Sequence, residues 1–127
     1  MAEAELIRTA LQRREPGVLD GTKKSSVALL LRGVELEMLF IKRAASNRDR
    51  FSGDVAFPGG KRDPGESGMQ TVIREVQEEI GIDLEQRDAW EFLGQLHEQR
   101  LLEHVVCCYV FMQLLPETPP LKLQASE

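Results

Sequence analysis

Three glutamates at helical spacing are the residues of this sequence whose types and positions best suit chemistry. Glu75, Glu78 and Glu79 stand at i, i+3 and i+4, so one side of a helix would carry all three carboxylates. Two like charges about 4 Å apart repel by about 4 kcal/mol at a protein surface with an effective dielectric of 20. Carboxylate oxygens are hard ligands that suit Mg²⁺, Mn²⁺ or Ca²⁺. The spacing therefore predicts either a divalent-metal site or a solvated acidic helix face.

The helix that would carry these glutamates has clear ends in the sequence. Ser67 and Gln70 predict a capping box at its start, and Gly81 predicts the left-handed residue that commonly ends a helix. Between them, apolar residues recur at intervals of three and four, at Met69, Val72, Ile73, Val76 and Ile80. This stripe must face a core, so we expect the glutamates beside a buried helix face.

Strands and one further helix are expected around this helix. The apolar run 26–31 predicts a strand buried on both faces, and residues 36–41 predict its returning partner in a hairpin. Residues 90–96 and 105–115 predict two more strands, the second of them central. The stretch 3–15 has apolar residues at helical spacing. Together these elements predict an α/β fold.

Length, charge and hydropathy restrict the function classes. A chain of 127 residues suits one domain. Its net charge of -5 argues against a general nucleic-acid binder. No apolar run approaches the roughly 20 residues that cross a bilayer, so we expect no membrane partner. The one basic patch is local: residues 42–62 contain six Lys and Arg against two Asp.

The two cysteines bear on the cellular compartment. Cys107 and Cys108 are adjacent in an apolar run, where consecutive strand side chains point to opposite faces and make a poor disulfide pair. The N-terminal stretch lacks the apolar region of a signal peptide. We therefore expect a reducing intracellular compartment such as the cytoplasm.

The motif around the glutamates resembles the signature of the Nudix hydrolase family. From Gly60 to Ile82 the sequence is GKRDPGESGMQTVIREVQEEIGI, and it matches the family pattern GX5EX7REUXEEXGU, with U a bulky aliphatic residue, at every defined position. The matching residues are Gly60, Glu66, Arg74, Glu75, Val76, Glu78, Glu79, Gly81 and Ile82.

The resemblance implies a fold, a reaction and a set of site residues. The fold would be an α/β/α sandwich around a mixed sheet, and the reaction a metal-dependent cleavage of a diphosphate in a nucleoside diphosphate joined to another group. Mg²⁺ or Mn²⁺ would be held by Glu75, Glu78, Glu79 and the backbone carbonyl of Gly60. Structural support would come from Glu66, Arg74 and Gly81.

A stretch upstream is similar to the motif LLTXRSX3RX3GX3FPGG of the coenzyme A pyrophosphatase branch of this family. It comprises residues 39–45 and 53–60, ending in Phe57-Pro58-Gly59-Gly60. The branch has an arginine where this chain has Asp49, which is flanked by two arginines. The resemblance implies that coenzyme A or its thioesters are the substrate, bound by Arg43, Arg48, Arg50, Phe57 and Lys61.

Other substrates and another function class stay open at this point. NDP-sugars, ADP-ribose, dinucleoside polyphosphates and (d)NTPs share the diphosphate, and a catalytically silent module could bind a nucleotide metabolite. Glu78 and Glu75 are the candidate catalytic residues, with Glu78 our first choice of general base. The alternatives for that base are Glu98, Glu103 and Glu117.

The second face of the sheet raises the question of oligomeric state. The family's fold normally has a helix after its final strands, and the ending 121–127 looks like the segment just before it. We therefore expect that helix to be absent. If the N-terminal helix does not cover the second face, several hundred Å² of apolar surface would favour a homodimer or aggregation.

Overall fold

The secondary structure comprises two helices and eight strands within the residues that the structure, a computed structural model, describes: 2–12, 24–42, 55–101 and 104–123. In chain order they are α1 (Ala2–Gln12), β1 (Lys24–Arg32), β2 (Glu37–Met38), β3 (Ile41–Lys42), β4 (Val55–Ala56), β5 (Gly59–Lys61), α2 (Gly68–Ile80), β6 (Trp90–Gln95), β7 (Gln99–Leu101) and β8 (His104–Gln113).

The main sheet is mixed, as the α/β prediction requires. Its central path runs β2-β1-β8-β6, with β5 also pairing β1 and β7 also pairing β8. β1 and β8 lie parallel, from Lys24 opposite Val105 to Leu31 opposite Met112, and the other pairs are antiparallel. β8 is a central strand, as predicted from its nearly continuous apolar sequence.

One face of this sheet packs against α2. Val72, Val76 and Ile80 of the helix are buried with Leu30 of β1 and Phe111 of β8. Met69 and Ile73, the other two members of the predicted stripe, are half-buried against the same cluster. The stripe read from the sequence is therefore the face that α2 buries.

The opposite face packs against α1. Leu11 of α1 is buried with Leu31, Leu93 and Val110, and Ile7 packs against this cluster. The sheet thus lies between two helices, which confirms the sandwich. α1 (Ala2–Gln12) begins one residue before the predicted stretch 3–15. Residues 13–15 lie outside the described residues. α1 covers part of the second face of the sheet. The homodimer stays a prediction, and it now depends on the part of that face that α1 does not cover.

The returning strand of the hairpin is shorter than predicted. Only Glu37 and Met38 form β2 with β1, followed by one bond from Leu39 N to Leu30 O (3.1 Å). Ile41 then pairs with Ala56 in a separate two-stranded sheet. The sequence of 36–41 is largely apolar. Its pattern does not indicate where the chain leaves β1 and begins to pair with β4.

The predicted basic patch contains two unpredicted strands, β4 and β5. β5 pairs antiparallel with β1 and sets Gly60 opposite Ser26. After β8, the segment 114–123 has no helix. Neither of the helices in the described part of the chain is long and apolar enough to cross a membrane.

Candidate active site

The site is built on α2, whose start is fixed by the predicted capping box. Ser67 Oγ accepts a hydrogen bond from Gln70 N (3.1 Å), and Ser67 N donates to Gln70 Oε1 (2.9 Å). At the other end Gly81 is left-handed (φ 74°) and its N–H donates to Gln77 O. The helix register is thus set at both ends, which fixes the side of α2 that carries the glutamates.

Arg74 is the central cation of the site. Its guanidinium donates to both oxygens of Glu66, through Nε at 2.8 Å and Nη2 at 3.0 Å. It also donates through Nη1 to Glu75 (2.9 Å) and to Glu78 (3.3 Å), and through Nη2 to the Lys61 carbonyl (3.3 Å). One side chain therefore links the loop before α2 to two of the three glutamates.

Glu66 is held in its ionised form by this arrangement. Arg74 first, and then the backbone N–H of Asp63 (3.0 Å), lower the pKa of Glu66 to about 2. Thr71 Oγ1 also donates to Glu66 (3.0 Å). This pairing leaves Glu66 no surplus basicity for proton transfer. The role of Glu66 and Arg74 as structural support stays a prediction.

Glu75 packs directly against the backbone of Gly60. A Cβ built on Gly60 would lie 2.4 Å from Glu75 Cδ and within 2.7 Å of both carboxylate oxygens. Only glycine therefore fits at this position while the carboxylate keeps its place. Burial raises the pKa of Glu75, and Arg74 opposes that rise. Gly60 and Glu75, both predicted from the motif, are neighbours in space.

Glu78 and Glu79 lie in different environments. Glu78 is about half exposed (52%) and contacts Arg74, whereas Glu79 is buried (4%) and its Oε1 accepts a hydrogen bond from Gly59 N (2.8 Å). Glu79 therefore fixes the Phe-Pro-Gly-Gly turn to α2. Only Glu78 of the pair is open to solvent, which suits it better to meet an incoming water.

The residues present suit a hard divalent ion by their donor chemistry, because three carboxylates and a backbone carbonyl lie on two adjoining segments. Among the described residues, however, no group of three or more His, Cys, Asp or Glu side chains converges in a metal-binding geometry. Arg74 stands between Glu75 and Glu78, and Glu79 is turned toward Gly59. The metal ligand set stays a prediction.

The predicted substrate-binding residues are only partly described. Arg43, Arg48 and Arg50 lie outside the described residues. Phe57 stacks on Phe40, with ring centroids 4.8 Å apart and an interplanar angle of 20°. Lys61 is exposed at the end of β5, beside the site. The Phe40 partner was not anticipated, since aromatic pairing across loops leaves no mark in the spacing of the sequence.

The alternative general bases are placed less favourably than Glu78. Glu98 is buried (8%), with Cys107 Sγ donating to it (3.1 Å) and Lys24 Nζ at 3.3 Å. Glu117 is exposed on the segment after β8, and Glu103 lies outside the described residues. The cluster of Lys24, Glu98 and Cys107 was missed by sequence reasoning because its members come from three distant segments.

Comparison with known proteins shows what this chain is similar to. The family model described as the NUDIX domain matches residues 22–127. The chain is 35% identical over 71 residues to the mouse mitochondrial coenzyme A diphosphatase, a match covering 55% of this chain and 33% of that protein. It is 40% identical over 60 residues to the Escherichia coli 8-oxo-dGTP diphosphatase, covering 47% and 46%. The chain thus matches less than half the length of either relative.

A solved structure shares the fold. The MutT protein of Methanosarcina mazei is 29% identical to this chain, with a TM-score of 0.57, over 87% of this chain and 75% of that one. The likeness extends well beyond the glutamate motif, since it includes most of the sheet.

Proposed function

Because this chain belongs to the Nudix family, we propose that it hydrolyses the diphosphate linkage of coenzyme A or its thioesters, giving 3′,5′-ADP and a 4′-phosphopantetheine product. The observation that carries the proposal is the contact of the Glu75 carboxylate with the Gly60 backbone. It supports the proposal because an acidic side chain lies against the residue whose carbonyl would be a further metal ligand.

The site residues take the following roles in this proposal. Glu75, Glu78, Glu79 and the Gly60 carbonyl would hold Mg²⁺ or Mn²⁺, which when bound neutralises diphosphate charge and acidifies water. Glu78 is the proposed general base because it is the solvent-exposed member of the set. Arg74 and Glu66 keep the loop and α2 in register, and Arg74 screens the carboxylates of Glu75 and Glu78 from each other.

The substrate is the finer part of the proposal. It is supported by the likeness to the mouse coenzyme A diphosphatase and by the upstream motif with its arginines. The Escherichia coli relative favours a second candidate, hydrolysis of a nucleoside triphosphate. A triphosphate has no pantetheine arm, so the two candidates differ in what must be recognised beyond the phosphates.

A panel of diphosphates with Mg²⁺ and with Mn²⁺ tests the reaction and the substrate together. Product analysis by ion-exchange chromatography should show 3′,5′-ADP from coenzyme A and a higher kcat/KM for it than for ADP-ribose, an NDP-sugar, a dinucleoside polyphosphate or 8-oxo-dGTP. A higher kcat/KM for one of these would reassign the substrate. Binding of the panel without turnover of any member would instead identify a silent binding module.

A further inference from the structure

An apolar cavity of about 240 Å³ opens beside the buried glutamate of the site. Its lining includes Glu79, whose Oε1 already accepts a hydrogen bond from Gly59 N, and otherwise consists of apolar residues. The walls that matter here are formed by Phe40, Ile41, Ile80, Leu121 and Leu123. No part of the proposed reaction yet accounts for this cavity.

Both walls are fastened to the elements that carry the site. On one side, Lys122 N donates to Ile80 O (2.8 Å) and so ties the chain of Leu121 and Leu123 to the end of α2. This approach depends on Gly81, because a Cβ there would lie 2.9 Å from Lys122 Cβ. On the other side, Phe40 stacks on Phe57, two residues before the glycine whose N–H binds Glu79. The cavity is thus a built feature of the site.

We propose that this cavity receives a branched aliphatic group attached next to the diphosphate, namely the two methyl groups of the pantoyl unit. This inference rests on the proposed function. In coenzyme A the carbon that bears both methyls is separated from the phosphate ester oxygen by one CH₂. A diphosphate bound at the glutamates of α2 would therefore carry these methyls into the neighbourhood of Glu79.

The polarity of the lining selects this group over its competitors. A sugar in the same position would bury hydroxyls with little to replace their hydrogen bonds to water, which is unfavourable. Burial of a methyl group is favourable, worth about 4-fold in binding for each one. The cavity therefore distinguishes a pantoyl group from the ribose or hexose of other diphosphates.

Two small ADP esters isolate this recognition from the rest of coenzyme A. The neopentyl and n-propyl esters of the β-phosphate differ by two methyl groups, on the carbon that corresponds to the branched carbon of pantoyl. The wild-type chain should hydrolyse the neopentyl ester with a kcat/KM about 10- to 15-fold higher. Similar values for the two esters, or no cleavage of either, would overturn the assignment.

Matched leucine variants test the cavity itself. Leu121→Ala should bring the ratio between the esters to about 3-fold or less, with little change on the propyl ester, and Leu121→Ile should retain most of the ratio. Leu115→Ala is the control, since Leu115 (44% exposed) and Leu121 (42%) are equally accessible but Leu115 lies outside the cavity. An unchanged ratio in Leu121→Ala would overturn the proposal.

Coenzyme A assayed in parallel separates the two proposals. Cleavage of coenzyme A with an ester ratio near one would reject the cavity assignment and leave the proposed function in place. A ratio above about 10 without cleavage of coenzyme A would reject coenzyme A as the substrate and retain the cavity's preference for a branched alkyl group.

Discussion

Arg74 donates two parallel hydrogen bonds to Glu66, from Nε to Oε2 at 2.8 Å and from Nη2 to Oε1 at 3.0 Å. Bidentate pairs of this kind are both strong and directional. The third nitrogen of the same guanidinium reaches Glu75 at 2.9 Å. The loop that precedes α2 and the acidic side of α2 are therefore positioned by one planar group, and disturbing Glu66 should be felt at Glu75.

Acid sensitivity is the first prediction from this pair. The pKa of Glu66 is lowered from 4.5 to about 2 in the folded chain, chiefly by Arg74. Its stabilising contribution is therefore complete above the unfolded-state pKa of 4.5 and is lost as pH falls toward 2. Urea unfolding followed by circular dichroism should show a smaller loss of unfolding free energy across this range in Glu66→Gln than in the wild type. Glu35→Gln, an exposed control, should follow the wild type, and equal slopes in all three would contradict the prediction.

Glu78→Gln and Glu79→Gln should each keep the fold and lose turnover. The amide introduced by Glu79→Gln would retain an oxygen that can accept from Gly59 N. Glu78→Gln would relieve like-charge repulsion. The Tm of either variant without added metal should therefore stay level or rise. The loss of a general base typically lowers the rate by about 10²–10⁴-fold, and we expect kcat to fall by about this factor or more. Mn²⁺ titration followed by electron paramagnetic resonance should show weaker binding. Glu85→Gln, beyond the end of α2, serves as the control, and wild-type activity in either variant would remove that glutamate from the site.

Gly60→Ala should displace the Glu75 carboxylate. The added Cβ would lie 2.4 Å from Glu75 Cδ, so the side chain must move, at a cost of about 1–3 kcal/mol in stability and a large part of the activity. Gly33→Ala provides the comparison, since its φ is +74° but nothing lies within 4 Å of the new methyl. It should lower stability by about 1–2 kcal/mol through backbone strain and leave kcat/KM unchanged. Full activity in Gly60→Ala would argue against the role of this contact.

The arginines of the upstream motif give the fourth prediction. If Arg43, Arg48 and Arg50 bind the 3′-phosphate of coenzyme A, then Arg48→Ala combined with Arg50→Ala should raise KM for coenzyme A far more than for dephospho-coenzyme A, which lacks that phosphate. Steady-state kinetics on the two substrates supply the measurement. Equal changes in KM on both would show that these arginines contribute only a general positive charge.

Local features of the site were predictable from the sequence. The capping box of Ser67 and Gln70 and the left-handed Gly81 were both confirmed, as was the apolar stripe of α2. Each depends on residues within one or two helical turns, or on a repeat of such turns, where spacing and geometry are directly related. The position of Glu75, Glu78 and Glu79 on one helix followed from the same rules.

Features that depend on distant segments were not predictable. The short strand β5 has no β-rich sequence, because two of its three residues are glycines, yet its pairing with β1 is what brings Gly60 to Glu75. Likewise the opposite burial of Glu78 and Glu79 follows from where the Phe-Pro-Gly-Gly turn lies over α2. Spacing along a chain reports neither pairing partners nor the segment that covers a side chain.

The parallel pairing of β1 with β8 has a consequence for the order in which the molecule assembles. Lys24 lies opposite Val105, so the centre of the sheet joins two strands that are far apart in the sequence. Such contacts form slowly because a long loop must close first. β5 pairs with β1, and this pairing positions Gly60. Because a domain generally folds as a unit, we expect the loop that carries Gly60 to become stable only once β8 is available to complete the sheet beside β1.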